Sequence, residues 1–207
     1  MSRRAEIVRR ATEVFERQGV AHTSIEDIAK AVGIKREGIY YYFKSREEIV
    51  LEIILPQSQS LRLNLRNILR AEMPALEKLH AAIGSHLESF NPGYLEMSVA
   101  LREEHFSLGS AKLRELRAVW KEYSDGWIAL IRDGQERGEF SARFNPKVIA
   151  YGILGMCNWL SRWYVRDKAI SIPEIVDNYF MLAANGLAQR DDVALPQAMT
   201  PRSGRLP

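Results

Sequence analysis

The stretch Ile25–Lys44, IEDIAKAVGIKREGIYYYFK, decides how this chain folds and what it touches. Two short apolar-faced segments flank a glycine at a spacing that a helix-turn-helix demands. Ala29 is small where the first helix must approach the second. Gly33 stands where the turn needs positive φ, and Ile39, six residues on, anchors the second helix to a core. Ile28, Val32 and Ile34 complete a small apolar set, and Phe43 is a core residue. Thr23-Ser-Ile-Glu26 and Ser24-Ile-Glu-Asp27 both resemble N-terminal caps for the first helix, the second with Asp in place of the usual Glu or Gln.

In this arrangement the second helix, about residues 36–42, enters the DNA major groove by its N-terminal end. Lys35 and Arg36 lie at that end and can reach base edges or phosphates. Gly38 has no side chain to hold the backbone away from DNA. Tyr40, Tyr41 and Tyr42 carry hydroxyls suited to phosphate oxygens, and Thr23 and Ser24 sit at a helix N-terminus, where phosphate is stabilised. An aromatic core patch would explain the tyrosines alone, and a solvated face the charges alone. Spacing, caps and charge together point to double-stranded DNA.

Charge supports that placement. The net charge of the whole chain is only +3, but residues 1–47 hold ten Lys/Arg against seven Asp/Glu, so the whole excess lies there and the remaining 160 residues balance. A locally basic end fits an anionic partner.

Working outward, nearly every segment has helical periodicity and no clear alternating strand pattern occurs; only Gly19–Thr23 looks extended. Residues 3–18 place Ile7, Ala11, Val14, Phe15 and Gln18 on one face, with Gly19 as the stop. Residues 46–70 form a longer helix that Pro56 is expected to kink or split. Helices are expected over 74–90 and 94–104, divided by Asn91-Pro92-Gly93, and over 110–137 before Gly138. The last two are 146–166 and 171–188, the latter opened by a capping box at Ser171–Glu174. The expected architecture is all-α: an N-terminal three-helix bundle with the helix-turn-helix as DNA-binding domain at 1–47, a larger helical domain at 48–188, and a disordered tail at 189–207, which holds three of the eight prolines.

A chain of 207 residues with 46% hydrophobic and 27% charged residues is an ordinary globular composition. No apolar run is long enough to span a bilayer, and the start lacks the apolar core of a secretory signal. The lone Cys157 cannot form an internal disulfide, which fits a cytoplasmic protein; on an apolar helix face it reads as core. No Gly-rich phosphate loop, Gly-x-Ser-x-Gly elbow or defensible carboxylate pair is present, so neither an enzyme nor a cofactor is expected. His22, His80, His86 and His105 form no recognisable metal pattern and read as exposed, so no metal site is assigned. A site built from His80, His86, Glu103 and His105 would make the chain a metal-responsive sensor instead.

The stretch Ile7–Ile49 resembles the N-terminal signature of the TetR family of transcriptional regulators. The match runs through Ile7, Ala11, Phe15, Gly19, Thr23, Ser24, Ile25, Asp27, Ile28, Ala29, Val32, Gly33, Ile34, Gly38, Ile39, Tyr40, Tyr42, Phe43, Ser45, Arg46 and Glu47. Departures are mild: Lys35 and Arg36 where small polar residues are common, Tyr42 where His is frequent, and Ile49 for Leu. They bear on operator sequence and not on fold. The resemblance implies a homodimeric, ligand-responsive regulator, usually a repressor, bound to an inverted-repeat operator, with residues 48–188 as its effector-binding and dimerisation domain. It implies DNA contacts from Thr23, Ser24, Lys35, Arg36, Gly38, Tyr40, Tyr42 and Arg46.

The second domain is less determined. Over 146–166, Ile149, Ile153, Cys157, Leu160 and Tyr164 form one apolar face, and Gly152, Gly155, Met156, Trp159 and Trp163 another. A helix apolar on two sides is buried on two sides, one by its own domain and one by a partner subunit. The string Gly155–Tyr164 is similar to one in TetR regulators of fatty-acid and steroid catabolism, which implies an acyl-CoA or related acid as effector. Candidate ligand contacts are Phe90, Tyr94, Met97, Arg102, Phe106, Trp120, Tyr123, Trp127, Trp159, Arg162 and Trp163. They suit an apolar ligand with an anionic or polar head paired to Arg102 or Arg162. A multidrug-type sensor on the same fold would take neutral or cationic ligands there, and a helical ligand carrier would use the same cavity without binding DNA.

Overall fold

A computed structural model describes residues 2–88, 111–164 and 170–187. Among these the chain forms eight helices and no strand: α1 (Arg3–Gln18), α2 (Ile25–Val32), α3 (Arg36–Tyr40), α4 (Arg46–Arg70), α5 (Ala75–Glu88), α6 (Ala111–Glu136), α7 (Pro146–Trp163) and α8 (Ile172–Leu187). The expected helix at 94–104, the tail at 189–207, and Phe90, Tyr94, Met97, Arg102, Glu103, His105 and Phe106 lie outside the described residues.

The first three helices close on Ile7, Ala11, Phe15, Ile28, Ala29, Ile39 and Phe43, all essentially inaccessible to solvent. Residues 19–23, expected to be extended, instead make a turn. Gly19 adopts φ +79°, the Thr23 amide donates to the Val20 carbonyl at 3.2 Å, and buried Val20 pins the corner. With no neighbouring strand to pair with, a five-residue segment closes its hydrogen bonds locally.

Pro56 does not split α4: the helix runs unbroken from Arg46 to Arg70. An interior proline costs about 3 kcal/mol. Ile54, Leu61 and Leu65 are buried along the same helix, each contributing roughly 1.5–3 kcal/mol, so packing outweighs the break. The partner is α6, the most extensive helix pairing among the described residues.

Two hydrophobic clusters result. The N-terminal one continues along α4 as far as Leu61 and takes in Leu113 and Leu116 from the first turns of α6. The second gathers Leu65 with the inner faces of α5, α6, α7 and α8 around Trp127, Leu130, Ile131, Phe140, Cys157 and Leu160. Thus α4 and α6 each belong to both cores. Polar pins close the ends: buried Lys78 donates to the Leu69 carbonyl at 2.9 Å at the C-terminus of α4, and a Glu139 carboxylate accepts the Ala75 amide at 2.6 Å at the start of α5. Ser171 caps α8 by accepting the Glu174 amide at 3.2 Å.

Candidate functional sites

At the N-terminal end, Ser24 and Asp27 form the capping box, so the second of the two candidate caps is the real one. Ser24 Oγ accepts the Asp27 amide at 3.2 Å, and the Asp27 carboxylate accepts the Ser24 amide at 2.9 Å. Hydrogen bonds from Ser24 hold the Asp27 carboxyl below its usual range. Gly33 takes the left-handed conformation, φ +74°, ψ +34°, and the Ile34 amide reaches back to the Ala29 carbonyl at 3.1 Å. That reversal starts α3 at Arg36 with Lys35 as its N-cap residue, and buried Ile39 turns the opposite face outward.

The result is an exposed edge that carries Ser24, Lys35, Arg36 and Tyr40. Arg36 lies over the Tyr40 ring at 5.4 Å and donates to its hydroxyl at 2.9 Å, so the cation is presented in a defined pose. Tyr41 is 84% exposed and packs edge-on against half-buried Tyr42. The remaining candidates have internal duties. Thr23 is buried and its hydroxyl donates to the Gly19 carbonyl at 2.7 Å, which braces the corner. Arg46 donates to the Val20 and Thr23 carbonyls at 3.0 and 3.2 Å, which ties α4 to the same corner. At Gly38 an added Cβ would meet the Ile34 Cδ1 at 3.2 Å, so the missing side chain also leaves room for Ile34.

Behind this edge, Glu52 of α4 bonds Arg4 of α1 and Lys112 of α6. The Arg4 guanidinium and then the Lys112 ammonium hold its carboxyl below the ordinary range. Arg4 also lies over the Phe43 ring at 4.4 Å. The charged cluster and the Leu113–Leu116 contact join α6 directly to the DNA-reading bundle.

In the second domain the structure separates the candidate ligand contacts. Trp120 donates to Ser58 Oγ at 3.1 Å, Tyr123 lies in the interior, and Trp127 is fully buried. Trp159, Arg162 and Trp163 lie on the opposite, outward side of α7. There they join Val148 and Tyr151, with Met181 and Leu182 of α8, in an exposed apolar strip. Between α7 and α8 runs a groove of about 530 Å³ lined by Val148, Gly152, Met156, Leu182 and Gly186. Open space lies over Gly152, Gly155 and Gly186.

His86, expected to be exposed, is instead inside the helical domain. Its Nδ1 is 2.8 Å from the Tyr123 hydroxyl and its Nε2 is 3.1 Å from Asn158 Oδ1. Burial pushes its pKa down to about 4, against a smaller upward pull from Asn158, so the imidazole is neutral. The available signal was its place one turn after Ile83 on the buried face of α5. Asn158 had no such signal. Neighbouring Cys157 is also buried, and its thiol is pushed up to about 12. His80 faces outward against Asp177 at 2.9 Å, and no group of metal-binding side chains occurs among the described residues. No described helix is long and apolar enough to cross a membrane.

Comparison with known proteins places this geometry. The family "Bacterial regulatory proteins, tetR family" matches residues 7–53, and "Tetracyclin repressor-like, C-terminal domain" matches residues 72–187. The HTH-type transcriptional repressor KstR2 of Rhodococcus jostii (strain RHA1) is 23% identical over 187 residues, covering 90% of this chain and 91% of that protein. The structure of the ketosteroid transcriptional regulator KstR2 of Mycobacterium tuberculosis has a TM-score of 0.78 at 21% identity, over 91% of this chain and 96% of that one. AibR in complex with isovaleryl coenzyme A and operator DNA has a TM-score of 0.73 at 20% identity, over 87% and 97%. At these identities the structures speak for a shared fold, and the family matches, which cover both the DNA-reading bundle and the helical domain behind it, show that the chain belongs to the TetR family of transcriptional regulators, which are not enzymes.

Proposed function

We propose that this chain is a repressor that binds an inverted-repeat operator as a homodimer and is released by a small acyl-type effector. The observation that carries the DNA reading is the exposed edge of Ser24, Lys35, Arg36 and Tyr40, held in place by a capped α2 and a left-handed Gly33. Lys35 and Arg36 read bases or grip phosphates, and Ser24, Tyr40 and Tyr42 position the helix on the backbone. Thr23, Gly38 and Arg46 act by shaping the corner that presents those residues.

The homodimer is proposed through α7 and α8. An exposed strip containing Val148, Tyr151, Trp159, Trp163, Met181 and Leu182 is apolar surface that a second subunit would cover, and the open glycines permit close helix approach. Two-fold symmetry then mirrors two recognition helices onto an inverted repeat. Trp159, Arg162 and Trp163 belong to this strip in the proposed dimer.

The effector reading rests on the relatives: one is named for ketosteroid regulation, and AibR was solved with isovaleryl coenzyme A. An acyl-CoA or related acid in the helical domain would release DNA by favouring a dimer geometry that no longer fits the operator. Residues 48–188 form the effector and dimerisation domain in this scheme, with α4 and α6 as the mechanical link.

Selection from randomised duplexes followed by gel shift tests the proposal. An inverted-repeat consensus is expected, bound far more tightly than scrambled DNA at physiological salt and weakened steeply as salt rises. Equal affinity for both duplexes overturns it.

A further inference from the structure

The interior polar set of the second domain has an unfinished hydrogen-bond account. Trp127 of α6 is completely buried, yet its Nε1–H has no hydrogen-bond partner among the described residues. A buried donor left unpaired is costly, and native interiors rarely carry one without a reason. Its ring stands nearly perpendicular to both His86 and Tyr123, with centroids 6.4 Å away in each case, and those two stack on each other at 6.0 Å. His86, Tyr123 and Asn158 come from three different helices, yet each keeps some accessible surface. Partly accessible polar side chains thus surround a donor that neither solvent nor any described residue satisfies.

We propose that Trp127, with His86, Tyr123 and Asn158 around it, forms the recognition end of the effector site and takes an uncharged hydrogen-bond acceptor, the carbonyl oxygen of a thioester, ester or ketone, on the indole N–H. The inference rests on the reading of this domain as the effector domain. The chemistry follows from what the set offers. The indole donates and cannot accept. His86 is neutral at physiological pH and is shaped by burial and by Asn158, with no charged group among the causes. Cys157, next to Asn158 in sequence, is also uncharged. A carboxylate placed here would lose its hydration with no cation among the described residues to replace it, whereas a carbonyl needs one donor and an apolar wall. Leu87, Leu130 and Cys157 supply such a wall in the same core. An anionic portion of the ligand would therefore lie away from this end.

The experiment compares a carbonyl with its absence. Full-length protein labelled at the indole nitrogens is titrated with isovaleryl coenzyme A, with the matched S-alkyl coenzyme A thioether that lacks the carbonyl, with neutral ketones and esters, and with the free acid. Trp127→Phe identifies the Trp127 N–H resonance by its disappearance. Expected is a downfield shift of that resonance with the thioester or a neutral carbonyl compound. The thioether should bind at least about ten-fold more weakly, and Trp127→Phe should abolish the difference. Thioester and thioether binding equally, or any ligand releasing DNA while the Trp127 resonance stays still, overturns the site but leaves the effector-domain reading standing. Carboxylates or cations acting where neutral carbonyls do not also overturns it. If no probe binds a protein that still binds its operator, both readings fail together. A Trp127 N–H resonance already at the downfield position of a bonded indole in the ligand-free protein would show the N–H satisfied within the protein and likewise overturn the proposal.

Discussion

Acidification should unload this fold through one imidazole. His86 has a pKa of about 4 in the folded chain against an ordinary value of 6.5, so between those values the unfolded chain binds a proton that the folded chain refuses. The folded pKa is depressed and the group is a base, so stability rises with pH through this window and is lost as pH falls through it. Full protonation linkage gives about 1.4 kcal/mol per pH unit, which amounts to about 2 kcal/mol between pH 7 and pH 5 for these two values. That is a large share of the stability of a small domain. Glu52 does not confuse the window: its carboxyl is held below the ordinary value of 4.5, so its contribution is present above that pH and declines only below it. The assay is urea unfolding of wild type and His86→Gln at pH 7 and pH 5, at fixed ionic strength and fixed protein concentration, because dimerisation would otherwise enter. Gln keeps polar bonding toward Tyr123 and Asn158 without a titrating group. Wild type should lose about 2 kcal/mol more than the variant between the two pH values. Every other titrating group is common to both proteins and cancels in that difference. Identical losses would refute the burial argument for His86.

The same contacts set the outcome of four further substitutions. Gly134→Ala would drive a Cβ into the ring of buried Phe140, and should cost at least about 2 kcal/mol in urea unfolding despite alanine's better helix propensity. Arg36→Ala should weaken operator binding roughly 10- to 100-fold with far less effect on scrambled DNA, read by fluorescence anisotropy; a uniform loss would reassign it to phosphate. Glu52→Gln should cost about 1–2 kcal/mol at pH 7 and flatten the stability curve below pH 4.5, because it removes the partner of Arg4 and Lys112. A Cβ at Gly155 meets nothing within 4 Å among the described residues, so by light scattering Gly155→Leu should leave the monomer folded but break the dimer; an unaffected dimer would place the interface elsewhere.

Much of the DNA-reading bundle is legible without coordinates because each of its demands is local. A left-handed turn needs Gly33, a close approach needs Ala29, a cap needs Ser24 with an acid three residues on, and all fall within one short window. Helical periodicity likewise announces α1, α6 and α7, and one apolar stripe of each is a buried face. Which of the DNA-facing candidates point outward is a different kind of fact. Thr23 and Arg46 have residue types suited to phosphate, but their donors are taken up by carbonyls at a corner that exists only once α1, α2 and α4 have met. Pro56 would kink or split a helix by its local chemistry, yet α4 continues through it because the helix is packed along its length against α6. The tryptophans show the limit most clearly. Trp127 and Trp159 lie on α6 and α7, and sequence spacing puts each on an apolar face, but only packing decides that one is sealed inside with its N–H unmet and the other is 63% exposed. His86 meets Tyr123 and Asn158 across 37 and 72 residues of chain. Contacts of that range are set by how three helices assemble, and no periodicity within any one of them carries the information.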